Sequence, residues 1–160
     1  MSYLELKVMG DVIAIEPCKE LARDASKLWE LHWQELGMAD YELKLDVNLD
    51  YYTALEEEGM GFVASYRRNN ELIGYCHAQI MSHPYHKDDT FATSNLIYIK
   101  KGFRNGTIAP KLLRWVEDEC RRRGAVGFNI ASNLNKGIGM WLMRKGYVPM
   151  DVVYTKRLGD

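Results

Sequence analysis

The chain of 160 residues holds no apolar run near the ~20 residues that a membrane-crossing helix needs. Its opening, MSYLELKVMGDVIAIEP, is broken by Glu5, Lys7 and Asp11, so no export signal is read there and a cytoplasmic location is expected. Cysteine is scarce: Cys18, Cys76 and Cys120 are odd in number and far apart, which excludes a disulfide framework or a CxxC metal knuckle and leaves buried thiols. Prolines number four, and no repeat, low-complexity segment or linker interrupts the sequence. Net charge is nearly absent, at -1. What is present, 47% apolar and 27% charged residues, is the balance of a globular protein. That length supplies one ordinary core and not two, so a single domain over residues 1–160 is expected.

The small net charge conceals a lopsided distribution. From Glu16 to Glu58 twelve acidic residues face four basic ones, and from Ile97 to Arg157 thirteen basic residues face four acidic ones. Two readings stay open at this level: ordinary solvated helix faces, or a cationic half that meets an anion and an acidic half that meets a cation.

Periodicity orders the elements. After a β-prone start at Val12 to Ile15, Pro17 opens a helix in which Leu21, Ala25, Leu28, Trp29, His32 and Leu36 recur at helical spacing until Gly37. A connector from Met38 to Asn48 leads to a shorter helix, with Asp50 the expected N-cap and Gly59 the stop. GFVASYRRNNELIGYCHAQI reads as an antiparallel hairpin turning at Asn69-Asn70. A loop with Pro84 and Asp88-Asp89 precedes the strand TFATSNLIYIKK. Ile108, Leu112, Leu113, Val116 and Cys120 mark a long helix ending at Gly124. AVGFNIA then reads as a strand, KGIGMWLMRK as a helix closed by Gly146, and YVPMDVVYTKRL as a terminal strand or strand pair. Strands joined across the helix from Thr107 should run parallel.

The stretch NLIYIKKGFRNGTIAPKLLRWVEDECRRRG is the informative one. A strand feeds through a basic, glycine-containing turn into a helix N-terminus, whose unpaired N–H groups and partial positive charge favour an anion. Arg104 and neighbouring lysines add full charge, Gly106 permits close backbone approach, and Thr107 supplies a hydroxyl or a cap.

On these residues the sequence resembles the GNAT superfamily of N-acetyltransferases. The family signature, Arg or Gln, two residues, Gly, one residue, then Gly or Ala, falls on Arg104, Thr107 and Ala109, with Thr107 in place of the usual glycine. Ile99 stands where the family has a strand-end Val or Ile. Asn135 and Lys145-Gly146-Tyr147 look like the second family motif, and Gly74 suits its third strand. The resemblance covers the chain from about Phe62 onward.

It implies an α/β fold: a mixed, mostly antiparallel sheet of six to seven strands, with parallel strands four and five splayed apart and about four flanking helices. Acetyl-CoA would be the co-substrate, its pantetheine lying in the splay beside Ile97, Tyr98 and Ile99. Its pyrophosphate would meet Arg104, Asn105, Gly106, Thr107, Ile108 and Ala109, and Asn135 would contact the pantetheine from the other side. Lys100, Lys101, Lys111 and Arg114 would line the nucleotide. The implied reaction is direct transfer of an acetyl or other acyl group to the amine of a small molecule or a protein.

Two family groups are missing. The fourth strand offers Thr93, Ser94, Asn95 and Tyr98 but no Glu, and the position of the acid Tyr holds Leu142. Catalytic candidates are therefore Tyr98, Asn95 and Tyr147, and the alternative is a catalytically silent member that acts as a coenzyme-binding or regulatory module. Acceptor contacts are expected around Trp33, Glu35, Asp40, Tyr41 and Glu42, whose acidity favours a cationic amine.

The remaining motifs have plainer readings. His83 and His86 with Asp88-Asp89 lack metal-ligand spacing and read as a surface loop, so no metal is expected. His77 reads as a core histidine. Arg121-Arg122-Arg123 end a helix, where cations complement the dipole, so no nucleic-acid partner is expected. The four tryptophans, Trp29, Trp33, Trp115 and Trp141, read mostly as core, with Trp33 the one turned to a ligand. Oligomeric state stays open, a homodimer included.

Overall fold

Asn69 and Asn70 hold φ of +50° and +67°, the pair of left-handed residues that a tight two-residue hairpin demands. They join β3 (Gly61–Arg68) to β4 (Glu71–His83). The computed structural model describes residues 6–8, 10–36, 43–104, 106–132, 138–156 and 158. Around this hairpin a six-stranded sheet runs in sequence order, β1 (Leu6–Val8), β2 (Asp11–Ile15), β3, β4, β5 (His86–Ile99) and β6 (Ala125–Ile130). Every neighbouring pair is antiparallel except β5 and β6, which are parallel.

Strand alternation divides the core between two faces. On one, α3 (Ile108–Arg122) lays Ile108, Leu112, Val116 and Cys120 over Phe62, Ala64, Tyr66, Ile73, Cys76 and Ala78. On the other, α1 (Cys18–Leu36) buries Cys18, Leu21, Ala25 and Leu28 against Val63, Leu72, Tyr75 and Tyr98. The short α2 (Leu49–Glu57) lies on this second face, and α4 (Ile138–Arg144) follows β6. The three thiols are buried and free. Arg122 and Arg123 are bound to the buried Glu119 at 2.7 and 2.6 Å, and Arg121 to Asp118 at 2.6 Å, so this basic run is spent on its own helix.

Four expectations change. The stretch around Pro84 is no open loop: β4 and β5 extend into a long hairpin in which His83 pairs with His86 across Pro84-Tyr85, and Asp88-Asp89 are strand residues. The cap of α2 is Asn48, whose Oδ1 accepts from the Tyr51 N–H at 3.0 Å, and Asp50 sits in the first turn. A further strand, β1, precedes the expected start. No terminal strand forms among the described residues: 147–156 have no regular structure, and Val148, Met150, Val153 and Tyr154 are exposed. β-propensity reports packing against a neighbouring strand, and these residues have none there.

Gly74 of β4 is held tightly against β5, since a Cβ on it would lie 2.6 Å from the Tyr98 carbonyl oxygen and 2.4 Å from Ile99 Cδ1. Gly74→Ala is expected to destabilise the fold by about 1–3 kcal/mol through overpacking. A lowered urea midpoint with unchanged slope is the expected reading.

Candidate active site

The parallel pairing of β5 with β6 stops early. It runs from Thr90 opposite Ala125 to Ser94 opposite Ile130, and its last bond is from the Ala131 N–H to the Ser94 carbonyl at 2.8 Å. At the same point β5 carries a bulge: His77 pairs with Leu96 and Gln79 with Thr93, so Ser94 and Asn95 together oppose Ala78. Beyond it, β5 continues to Ile99 along β4 alone, and the two parallel strands part. The Lys100 N–H donates to the Ile73 carbonyl at 2.9 Å. By alternation, the backbone groups of Tyr98 turn to β4, and those of Ile97 and Ile99 turn to the open side.

The fork leads to the start of α3. A 3-10 turn (Lys101–Phe103) and Gly106, at φ +134°, bring the chain into the helix. Thr107 is the N-cap residue, and its side chain makes no capping bond to the first N–H groups of α3, which a helix start leaves without intrahelical partners. Arg104 lies between this loop and α1: Nε donates to the Ile99 carbonyl at 2.7 Å and Nη2 to Glu35 Oε1 at 2.9 Å, with the guanidinium 5.1 Å from the centre of the Tyr98 ring. Lys101 adds a second cation, 3.9 Å from Glu35. Burial acts to raise the Glu35 carboxyl, but the Arg104 hydrogen bond and charge outweigh it and hold Glu35 below the ordinary carboxylate range. Lys100 instead pairs with Glu71.

On the α1 and α2 face, next to the bulge, lies a cavity of about 320 Å³. Trp29, Trp33, Tyr52, Val63, Tyr75 and Leu96 form much of its lining. Two buried histidines join them. His32 Nδ1 is hydrogen-bonded to the Tyr75 hydroxyl at 2.7 Å, and the ring stacks on Tyr98 at 4.9 Å. His77 is 3% exposed, meets the Tyr52 ring edge-on at 4.8 Å, and has at Nε2 the one buried side-chain polar atom without a partner among the described residues. Burial lowers both histidines to about 4.

The structure therefore brings Ile97, Tyr98, Ile99, Arg104, Gly106, Thr107, Ile108 and Ala109 to one fork, with Ile108 itself turned into the core. Asn105 and Asn135 lie outside the described residues, as do Asp40, Tyr41 and Glu42; Asn95 is placed by its backbone in the bulge. Tyr98 and Tyr147 stand on opposite faces of the sheet. The Tyr98 hydroxyl donates to Glu35 at 3.2 Å, and that of Tyr147 to Glu117 of α3 at 2.6 Å. Both phenols are pushed above their ordinary range, chiefly by burial and then by these carboxylates. Leu142 is buried. Trp33 does line the cavity, whereas Glu35 is committed to Arg104. The histidine pair was not legible as a site: His32 fell in the helical stripe, and His77 stood alone in a strand. Among the described residues there is no helix fit to cross a membrane and no cluster of three or more His, Cys, Asp or Glu fit to hold a metal ion.

Six strands, one parallel fork and a helix starting at its mouth define an acetyltransferase fold. The model of the Acetyltransferase (GNAT) family matches residues 21–146, and the chain belongs to that family. Among curated proteins none is significantly similar in sequence. Solved structures share the fold at low identity. An aminoglycoside acetyltransferase from an uncultured soil metagenomic sample, in complex with sisomicin, superposes with a TM-score of 0.68 at 12% identity, over 94% of this chain and 97% of that one. The ribosomal-protein-alanine N-acetyltransferase of Brucella melitensis biovar Abortus 2308 gives 0.63 at 18%, over 93% and 99%. Glucosamine-6-phosphate N-acetyltransferase of Arabidopsis thaliana gives 0.68 at 8%, over 93% and 99%.

The neutral histidines set a pH dependence. The unfolded chain binds protons at about 6.5 on each imidazole, the folded chain only near 4, so acidification through that window favours unfolding. Stability is complete above about pH 6.5 and falls on the order of 2 kcal/mol per histidine by pH 5. Thermal melts from pH 7 to 5 are expected to show this fall, and His77→Leu should flatten it.

Proposed function

We propose that the chain is a single-domain, cytoplasmic acetyl-CoA-dependent N-acetyltransferase that carries an acetyl group directly to a primary amine of a small molecule or a protein. The fork carries this reading: Ile97 presents a backbone donor and acceptor, and Ile99 its N–H, to a gap that no strand fills among the described residues, the Ile99 carbonyl accepting from Arg104, and the gap ends at the N-terminus of α3. An extended amide-bearing arm such as pantetheine pairs with such an edge as an added strand does. The pyrophosphate then falls on the N–H groups of Gly106, Thr107, Ile108 and Ala109, with Asn105 and Asn135 in the roles that the family resemblance gives them. Enzymes that act on an aminoglycoside, a protein alanine and an amino sugar share the fold, which supports an amine as acceptor.

The acceptor reaches the fork from the cavity floored by Tyr75, His77 and Leu96, because Leu96 precedes Ile97 on the same strand. The nitrogen must arrive unprotonated; its lone pair forms the C–N bond as the C–S bond breaks. One proton leaves nitrogen and one reaches the departing thiolate. Holding both reactants in line supplies much of the rate, which suits a site without the family's Glu and Tyr. A silent, coenzyme-binding module is the second reading, favoured by buried Leu142 and by two phenols already bound to carboxylates. A thioester-consumption assay over an amine panel, with calorimetry of coenzyme binding beside it, separates the two. Consumption above buffer background supports transfer; binding without consumption supports the module; absence of binding at millimolar acetyl-CoA removes both.

In this scheme Arg104 keeps the Glu35 carboxylate neutralised beside an anion site. Arg104→Ala is expected to weaken coenzyme binding by about 1.5–3 kcal/mol. Adding Glu35→Gln should restore a good part of the loss, as measured by calorimetry.

A further inference from the structure

The cavity between α1, α2 and the sheet has a largely apolar lining. Its walls are mostly aromatic and aliphatic, and several of the polar groups on it are committed. His32 is bound to Tyr75, Asn48 caps α2, and the Tyr51 hydroxyl is bound to Gln79. Asp46 is the single lining carboxylate among the described residues, and it is exposed. A polyhydroxylated or polycationic acceptor would give up water for a surface with few partners to offer, which is costly. The volume of about 320 Å³ lies at the small end of ligand pockets. It suits one ring system with a short chain.

One lining residue has a fully buried polar atom without a hydrogen bond among the described residues. His77 Nε2, enclosed by the Tyr52 ring and the backbone at Gly61, has no partner among the described residues. Polar atoms at that depth are ordinarily paired.

We propose that the acceptor is a primary amine borne on a small aromatic body, seated against Trp29, Trp33 and Tyr52, with His77 hydrogen-bonded to a polar atom of that body. The proposal rests on the acyltransfer reading of the same site. Both histidines are neutral at physiological pH, so neither opposes an ammonium on its way in. The Glu35 carboxylate, the obvious attractor for a polycation on α1, is held by Arg104. Transfer balances as written above: nitrogen gains the acetyl carbon and gives up a proton, and sulfur leaves with the electron pair and takes one.

The test compares 2-phenylethylamine, tyramine, spermidine and kanamycin as acceptors for acetyl-CoA. Wild type, Val47→Trp, Trp33→Ala and His77→Leu are used, with folding checked by circular dichroism and coenzyme affinity by calorimetry. Wild type is expected to show kcat/KM at least tenfold higher for the aromatic amines than for spermidine or kanamycin. Val47→Trp, on the half-buried connector, fills the cavity and should lower that value tenfold or more without changing coenzyme affinity. If it fails to fold, Trp33→Ala makes the same comparison through a raised KM for the aromatic amines. Tyramine should exceed 2-phenylethylamine several-fold in wild type and lose that advantage in His77→Leu. A preference for spermidine or kanamycin, or indifference of the aromatic amines to both cavity variants, would overturn the proposal while leaving acyltransfer intact. Equal rates for tyramine and 2-phenylethylamine in wild type would remove the role of His77. If no amine is consumed, saturable quenching of tryptophan fluorescence by 2-phenylethylamine, lost in Val47→Trp, upholds the binding class, and absence of such quenching overturns it. Absence of coenzyme binding is the separate result that removes the acyltransfer reading.

Discussion

Ser94 and Asn95 together oppose one residue of β4, and the rest of the site depends on that extra residue. A bulge breaks the ladder and bends the strand. Here it coincides with the last bond to β6, so the two parallel strands separate where the sheet would otherwise continue. The same irregularity shifts side-chain alternation, so that Leu96 and Tyr98 face α1 while Ile97 and Ile99 face α3. Without the bulge, the cavity and the open backbone edge would not meet on one strand. Gly74 guards this geometry from the other side by letting β4 approach the end of β5 without a side chain between them.

Charge is arranged around this frame more locally than the sequence totals suggest. Among the described residues the acidic arm and the basic half form ion pairs at one place, where Glu35 takes Arg104 and Lys101. The helix-ending arginines, by contrast, are absorbed by Asp118 and Glu119. The Glu35 contact joins α1 to the loop before α3, so the helix that walls the cavity and the loop at the fork are tied through this carboxylate. Tyr98, whose ring contacts His32 and Arg104 and whose hydroxyl reaches Glu35, is the packed centre of that tie.

Much of the fold was legible because it rests on local signals. Helical spacing marked α1 and α3, Asn69-Asn70 marked the hairpin, and glycines at positive φ closed α2, α3 and α4 where expected. The signature around Arg104 located the fork. Less was legible where partners decide the outcome. Strand-like composition after Gly146 formed no strand, because propensity without a neighbouring strand does not order a chain. Pro84 read as a loop marker, although it occupies the tight turn of a long hairpin. The commitment of Arg104 to Glu35 spans 69 positions of sequence, and no spacing rule reaches that far. The cavity was invisible for the same reason, since its walls come from five separate segments.

The wall made by α2 differs in kind from the others. α2 buries no residue completely; Leu49 and Tyr52 pack partly against the core, and polar contacts add to this: Glu56 accepts from the Cys18 N–H at 3.0 and 3.1 Å, Tyr51 meets Gln79, and Asp50 lies 3.4 Å from Lys19. Such attachments exchange readily with water, and segments with few buried apolar contacts open at the lowest free energy. Of the two helices that wall the cavity, α1 buries five residues and α2 none, so displacing α2 costs the less free energy and the cavity is enlarged most cheaply on that side.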